Sequence, residues 1–261
     1  MRLLFWNLAK NKNDDLVAKI ILEQDIDVAI FAEHHNTDFS QVTKALSDNY
    51  VEHKGYGACE KIMLLARKEY HIDVKREQTR YALYLCQIKE ARYILAGIHL
   101  PANPRSTPDD RKCIIRDIVG DVNELENKMD CDNTIIIGDF NASPFDSELI
   151  QKDAFNAVLF QDLITKTEYI KSNGKQYRRF YNPMLNFISE TTKVYGSLYY
   201  SGNINSLYWY CYDQIIIRKP LISALNSVEY VKKIKGRKLI KETLPDKSIS
   251  DHLPLVVELK G

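Results

Sequence analysis

Short apolar runs rich in β-branched residues recur through this chain, and chemically active side chains sit at their margins. Residues 2–8 hold Asn7, 27–32 stop at Glu33, 93–100 hold His99, and 134–138 lead into Asp139 and Asn141. Asp213 borders the run 212–218, while Asp251 and His252 precede 253–259. A buried sheet delivers side chains to a cleft at its strand ends, and residues two apart share a face, so Asp139 and Asn141 are expected to face one pocket. Asn7, Glu33, His99, Asp139 and Asp213 read as carboxyl ends of strands. Ser250-Asp251-His252 comes before its strand instead, and an antiparallel last strand would start at the same rim.

Leu16, Val17, Ile20 and Ile21 recur at helical spacing, which predicts a helix after the first strand. Residues 62–67, 81–88 and 93–100 are three further strands, close enough in sequence to suggest an antiparallel meander. Thr107-Pro108-Asp109-Asp110 offers an N-cap, a proline at the first helical position and acids in the first turn, so a helix should run from there to about Lys128. The interval 165–211 is rich in Tyr, Asn, Ser and Gly without a clear period and reads as an elaborated loop region carrying short irregular elements. No repeat or linker divides the chain, so residues 1–261 are expected to form one domain.

The formal net charge of +1 gives the whole molecule no strong pull toward polyanions, and any nucleic-acid affinity must come from a local patch. Five widely spaced cysteines without a CxxC pair argue against both a disulfide framework and a thiolate zinc site. His34 and His35 follow Glu33, but neighbours on a strand point to opposite faces and no HExxH spacing exists, which argues against zinc there too. No run approaches the ~18 apolar residues of a membrane span, and the first residues lack the pattern of a signal peptide. A cytoplasmic location is the default expectation. No protein partner can be inferred.

Phosphate esters resist hydrolysis because the attacking water must approach an anion and the departing oxygen must carry charge. A hard cation answers both difficulties, and Mg²⁺ prefers oxygen ligands with one or two carboxylates, which suits Glu33 with Asp251 or Asp139. Asparagine amides hold phosphate oxygens without adding negative charge, and a carboxylate can orient a histidine. Asp213 and His252 are the pair expected to do so.

These residues lie in Phe5-Trp6-Asn7, Ala32-Glu33, Gly97-Ile98-His99-Leu100-Pro101, Gly138-Asp139-Phe140-Asn141, Tyr212-Asp213-Gln214-Ile215 and Ser250-Asp251-His252. In order and spacing the set resembles the endonuclease/exonuclease/phosphatase superfamily, which includes pancreatic-type DNases, abasic-site endonucleases, inositol polyphosphate 5-phosphatases and neutral sphingomyelinases. The resemblance implies a DNase I-like four-layer α/β/β/α sandwich, two mixed and mainly antiparallel sheets flanked by helices. It implies Mg²⁺ or Mn²⁺ held by Glu33 with Asp251 and Asn7 nearby, and a nucleophilic water positioned or deprotonated by Asp139. Asn7, Asn141, His99 and His252 would meet the substrate phosphate, with His252 oriented by Asp213 and acting as base or as stabiliser of the phosphorane. The histidine at 99 matches DNase-like and sphingomyelinase-like members, whereas abasic-site endonucleases carry tyrosine there. DNase-like members also carry a glutamate that partners this histidine, and the aligned residue here is Thr79, with Glu77 offset by the pleat. Phe180-Tyr181-Asn182-Pro183-Met184 resembles a bacterial subgroup.

The expected function is therefore a metal-dependent nuclease cleaving nucleic-acid phosphodiesters by in-line water attack. A phosphatase or phosphodiesterase acting on a small phosphorylated molecule or lipid headgroup is the alternative, and a non-catalytic binding module on the same fold is a third. Arg105, in the loop after His99, is a candidate substrate contact. The lysines and arginines of 232–241 read as a solvated hairpin around Gly236 rather than a phosphate track. Aromatics and cations alternate at 177–181, which suits single-strand binding or core packing equally.

Overall fold

A computed structural model describes residues 1–187, 195–202, 206–242 and 244–260. Two large mixed sheets organise the chain. The first runs Leu225–Tyr230, Leu255–Leu259, Arg2–Asn7, Val28–Ala32, Ile62–Arg67, Tyr50–His53 in space. The second runs His71–Gln78, Tyr81–Ile88, Ala91–His99, Thr134–Asp139, Asp213–Ile217, Phe180–Tyr181, Ala157–Val158.

Side-chain alternation on the second sheet shows how the layers form. Ile135, Ile137, Ile215 and Ile217 enter the core shared with the first sheet, whereas Ile136 and Ile216 join a separate core beneath the helix Pro108–Met129 with Ile115, Ile118 and Val122. Continuous isoleucine runs are what strands buried on both faces require. Across the first sheet, the helix Asp14–Glu23 buries Leu16, Val17, Ile20 and Ile21, the stripe its spacing predicts. The result is the α/β/β/α sandwich expected from the sequence.

Thr107 caps the long helix in a reciprocal box: Asp110 N–H donates to Thr107 Oγ1 at 3.2 Å and Thr107 N–H to Asp110 Oδ2 at 2.8 Å. The helix ends at Met129, one residue beyond the expected position. Gly236 lies in the left-handed region at the turn joining Lys233–Ile234 to Arg237–Lys238, the hairpin anticipated there.

The meander differs from its prediction. Ile62–Arg67 pairs with Val28–Ala32 in the first sheet, and the strand beside Tyr81–Ile88 is His71–Gln78. That strand is mostly polar and half exposed and its register shifts between Val74 and Arg76, so it lacks the apolar run by which the others are recognised. Within 165–211 the described residues form short strands at Tyr169–Ser172, Lys175–Arg178, Phe180–Tyr181, Leu198–Tyr200 and Tyr208–Tyr210; residues 188–194 and 203–205 of that interval lie outside the described set. Phe180 and Tyr181 are buried in the core and Arg178 pairs with Glu126, Asp132 and Glu168, while Tyr177 and Arg179 are half-buried. Among the described residues no helix is long and apolar enough to cross a membrane.

A buried ion pair joins the long helix to the segment after Asn141: Arg111 Nη2 donates to Glu148 Oε1 at 2.8 Å. Burial pushes the Glu148 carboxyl up, but Arg111 outweighs it and the group lies below the ordinary glutamate range. A folded value below the unfolded one stabilises above the unfolded pKa of ~4.3, and that contribution is lost as pH falls through the folded value. Urea midpoints of the wild type and Glu148→Gln should therefore differ most at neutral pH and converge in acid; a gap independent of pH would contradict this.

Candidate active site

Pairing register assembles the centre of the site. In the second sheet His99 lies opposite Asp139 and Asp139 opposite Asp213, so three adjacent strands present three polar side chains in one row. Asp213 begins its strand rather than ending one, as the sequence reading had it; because that strand runs antiparallel to Thr134–Asp139, it reaches the same rim. Gly138 allows the row to close up: a Cβ there would lie 2.1 Å from the Ile98 carbonyl oxygen, so no side chain fits between these strands.

The first sheet supplies the facing half. Asn7, at the end of Arg2–Asn7, donates from Nδ2 to Asp139 Oδ2 at 3.1 Å, and its Oδ1 accepts from Ala9 N–H at 3.0 Å. The other Asp139 oxygen accepts from Asn141 N–H at 2.9 Å. Asn141 adopts φ 46° and donates from Nδ2 to the Leu100 carbonyl at 2.8 Å, a conformation asparagine tolerates well. Glu33 adopts φ 47° directly after Val28–Ala32. A glutamate in the left-handed region costs roughly 1–2 kcal/mol and persists only where its surroundings fix it, here through Lys10 N–H bonding to its carbonyl at 2.8 Å.

His252 comes over this row from the segment before Leu255–Leu259 and shares a 2.7 Å hydrogen bond between Nδ1 and Asp213 Oδ2. Its Nε2 lies 4.0 Å from both Asp139 Oδ2 and Asp251 Oδ1. Burial opposes the charged ring, but the carboxylates of Asp213, Asp139 and Asp251 outweigh it and push the imidazole up to about 10. His99 behaves in the opposite way. Burial pushes it down against the pull of Asp139 and Glu33, whose oxygens lie 3.8 and 3.6 Å from its Nε2. The site thus brings together a histidine from the first sheet that favours its charged form and one from the second that favours its neutral form.

The Endonuclease/Exonuclease/phosphatase family profile matches residues 4–252. The chain belongs to that family. Truncated TDP2 from Caenorhabditis elegans is 15% identical, with a TM-score of 0.64 over 100% of this chain and 97% of that one. ANGEL2, described as a 2′,3′-cyclic phosphatase and solved with adenosine-2′,3′-vanadate, is 13% identical, with a TM-score of 0.63 over 98% of this chain and 94% of that one. An endonuclease/exonuclease/phosphatase family protein from Bacteroides thetaiotaomicron is 13% identical, with a TM-score of 0.56 over 99% of this chain and 97% of that one. At such identities the likeness speaks for the fold. No curated protein matches by sequence.

In this endonuclease/exonuclease/phosphatase chain, the sequence-derived residues Asn7, Glu33, His99, Asp139, Asn141, Asp213, Asp251 and His252 form one connected set through the contacts above. Among the described residues, Asp139, Asp213 and His252 are the cluster whose donor atoms all lie within 4.8 Å of one another. Glu33 joins through His99 and Asp251 through His252, each at the edge of that cluster and more exposed than it. Arg105 is exposed in the loop after His99 and has no ion pair among the described residues. Glu77 accepts a hydrogen bond from Tyr56 N–H at 2.6 Å.

Sequence reasoning missed the residues that aim the catalytic candidates. Trp6 Nε1 donates to the His252 carbonyl at 3.1 Å, Ser250 Oγ to the Asn7 carbonyl at 2.7 Å, and His252 N–H to Ser250 Oγ at 3.0 Å. Asp213 N–H donates to Ser197 Oγ at 3.0 Å, and Tyr230 Oη donates to the Asp213 carbonyl at 2.5 Å. Asn182 donates to Gln214 Oε1 at 2.8 Å, and Gln214 Nε2 reaches the Ala142 carbonyl at 2.6 Å, bracing the turn after Asp139. Only Trp6, Ser250, Asn182 and Gln214, all inside the quoted motifs, carried a signal in sequence.

Proposed function

We propose that this family phosphoesterase is a divalent-metal-dependent nuclease that hydrolyses nucleic-acid phosphodiesters by in-line attack of water. The observation that carries the reading is the row His99, Asp139, Asp213 with His252 bonded to Asp213 and Asn7 bonded to Asp139. The donors at its edge are hard oxygens, as Mg²⁺ or Mn²⁺ requires, and Glu33 is held in the left-handed region beside them. Glu33 and Asp251 would hold the ion. Asn7, whose Oδ1 accepts one hydrogen bond from Ala9 and keeps a second lone pair, would stand beside it as a further oxygen ligand or as a phosphate donor. The bound ion would supply Lewis-acid charge to the phosphoryl oxygens.

Asp139 is the residue to position the water and accept its proton, since both of its oxygens are fixed by Asn7 and Asn141. Asn7 and Asn141 each keep a second amide N–H for a phosphoryl oxygen. His252, held through Nδ1, presents Nε2 with the positive charge that its carboxylates favour, which offsets charge building on the phosphorane. His99 contacts the same phosphate from the other end of the row. The whole of 1–261 acts as one catalytic unit in this reading, because the site draws on residues from 7 to 252.

Purified protein with Mg²⁺ or Mn²⁺ should cleave single- or double-stranded DNA or RNA, and chelation should abolish turnover reversibly. Cleavage that survives exhaustive chelation would remove the metal from the proposal. The net charge of +1 favours a second reading, a small phosphorylated substrate. Released inorganic phosphate from a panel of monoesters, with polynucleotides untouched, would establish it. Absence of both metal binding and turnover would leave a binding module.

A further inference from the structure

The hairpin Leu198–Tyr200/Tyr208–Tyr210 grows directly out of the candidate site. Leu198 bridges to His252, Leu253 N–H bonds to the Ser197 carbonyl at 2.9 Å, and Ser197 Oγ accepts from Asp213 N–H. Between this hairpin and the ladder Ile240–Lys241/Leu244–Pro245 lies a cavity of about 480 Å³. Its wall includes Tyr199, Tyr200, Lys241, Leu244, Lys247 and Asp251, so the carboxylate proposed for the metal forms one end of it.

The two tyrosines differ. Tyr199 packs against Tyr208 and Trp209, with centroids 6.1 and 5.6 Å away, and belongs to the hairpin's own support. Tyr200 is 52% exposed, and among the described residues no ring stacks on it. Opposite, Leu244 and Pro245 add apolar surface; Lys241 is engaged with Asp246 at 3.0 Å, and Lys247 has no ion pair among the described residues. An isolated exposed tyrosine is ordinary. Here it faces a ligand-sized hollow that opens on the site and carries an uncommitted ammonium, the combination that takes a flat ring attached to an anion.

We propose that this cavity binds the nucleobase of a nucleotide unit next to the scissile phosphate, with the base on Tyr200 and Lys247 near a phosphate. This rests on the nuclease reading for the position of the scissile bond. It makes Tyr200 a specificity residue, which touches the base and none of the reacting atoms.

Calorimetric titration with AMP and with ribose 5-phosphate, in Mg²⁺, tests binding apart from turnover. AMP should bind at least about fivefold more tightly, the low end of what one stacked base supplies. Tyr200→Ala should erase the preference, while Tyr200→Phe, which keeps the ring, should retain it. Equal affinities, no AMP binding at millimolar concentration, or a preference that survives Tyr200→Ala each overturn the proposal. Hydrolysis of a base-free phosphodiester by the same protein reports separately on the catalytic reading, so the two can fail independently.

Discussion

Asp139→Asn is expected to lower kcat on any phosphodiester substrate by about 10²–10⁴-fold, the range for losing a positioned general base. The substitution removes charge and basicity but almost no volume. It keeps an oxygen for the Asn141 N–H, while the new amide nitrogen would face the Asn7 amide donor across 3.1 Å. Asp139 also lies near His252 Nε2 at 4.0 Å, so its neutralisation weakens the field that favours the charged ring. The fold should survive, because a buried carboxylate in a cluster of acids is not what holds the sheets together. Steady-state kinetics together with thermal unfolding check this. A variant with near wild-type kcat and an intact fold would dismiss Asp139 as base, and one that loses its fold would move the residue to structure.

Glu126→Gln should have the largest effect on stability, about 3–5 kcal/mol, the usual cost of leaving a buried charge without its partner. Arg218 is completely buried. Its Nε and Nη2 donate to the two Glu126 oxygens at 2.8 and 3.2 Å, and its guanidinium stacks 3.7 Å from the Phe180 ring centroid. Glu126 further accepts from Thr134 Oγ1 at 2.6 Å and lies 3.4 Å from Arg178. Burial pushes the Arg218 guanidinium down and Glu126 is what opposes it. With only the neutral amide facing it, the guanidinium keeps hydrogen bonds to Asn123 and the Arg179 carbonyl but no countercharge except the more distant acids. At about 2–4 °C per kcal/mol the midpoint should fall by roughly 6–20 °C. The double variant Glu126→Leu/Arg218→Met should regain most of that, since the unpaired charge goes too. A midpoint unchanged in Glu126→Gln would show that the network contributes nothing. Thr134 and Asp139 are opposite ends of one strand, roughly 17 Å apart, so kcat at a permissive temperature should change little.

Much of this architecture was legible in the sequence because buried strands advertise themselves. Ile135-Ile136-Ile137 and Ile215-Ile216-Ile217 face two cores at once, and short β-branched runs of this kind suit strands buried on both faces. The motifs marked the site by their order: a carboxylate or histidine at the margin of one apolar run is an ordinary turn residue, and only the whole series in that order and spacing carries the signal. What stayed hidden depends on pairing rather than on type. His71–Gln78 has a polar face and a register shift, so nothing in its composition separates it from a loop. Asp213 looks the same whether it begins or ends a strand, and only the antiparallel register with Thr134–Asp139 brings it opposite Asp139. Ser197 and Tyr230 act on Asp213 from positions 16 and 17 residues away, and no local pattern announces that.

The division of the site between the sheets has a kinetic consequence. Asn7, Glu33 and His252 arrive with one sheet; His99, Asp139 and Asp213 arrive with the other. A folding intermediate that had completed either sheet alone would carry half of the machinery and none of its geometry. Closing contacts such as Asn7 to Asp139, 132 positions apart, belong to the slow, non-local phase of folding. The proposed site is therefore complete only once the sheets dock, and a partly assembled chain would be chemically silent.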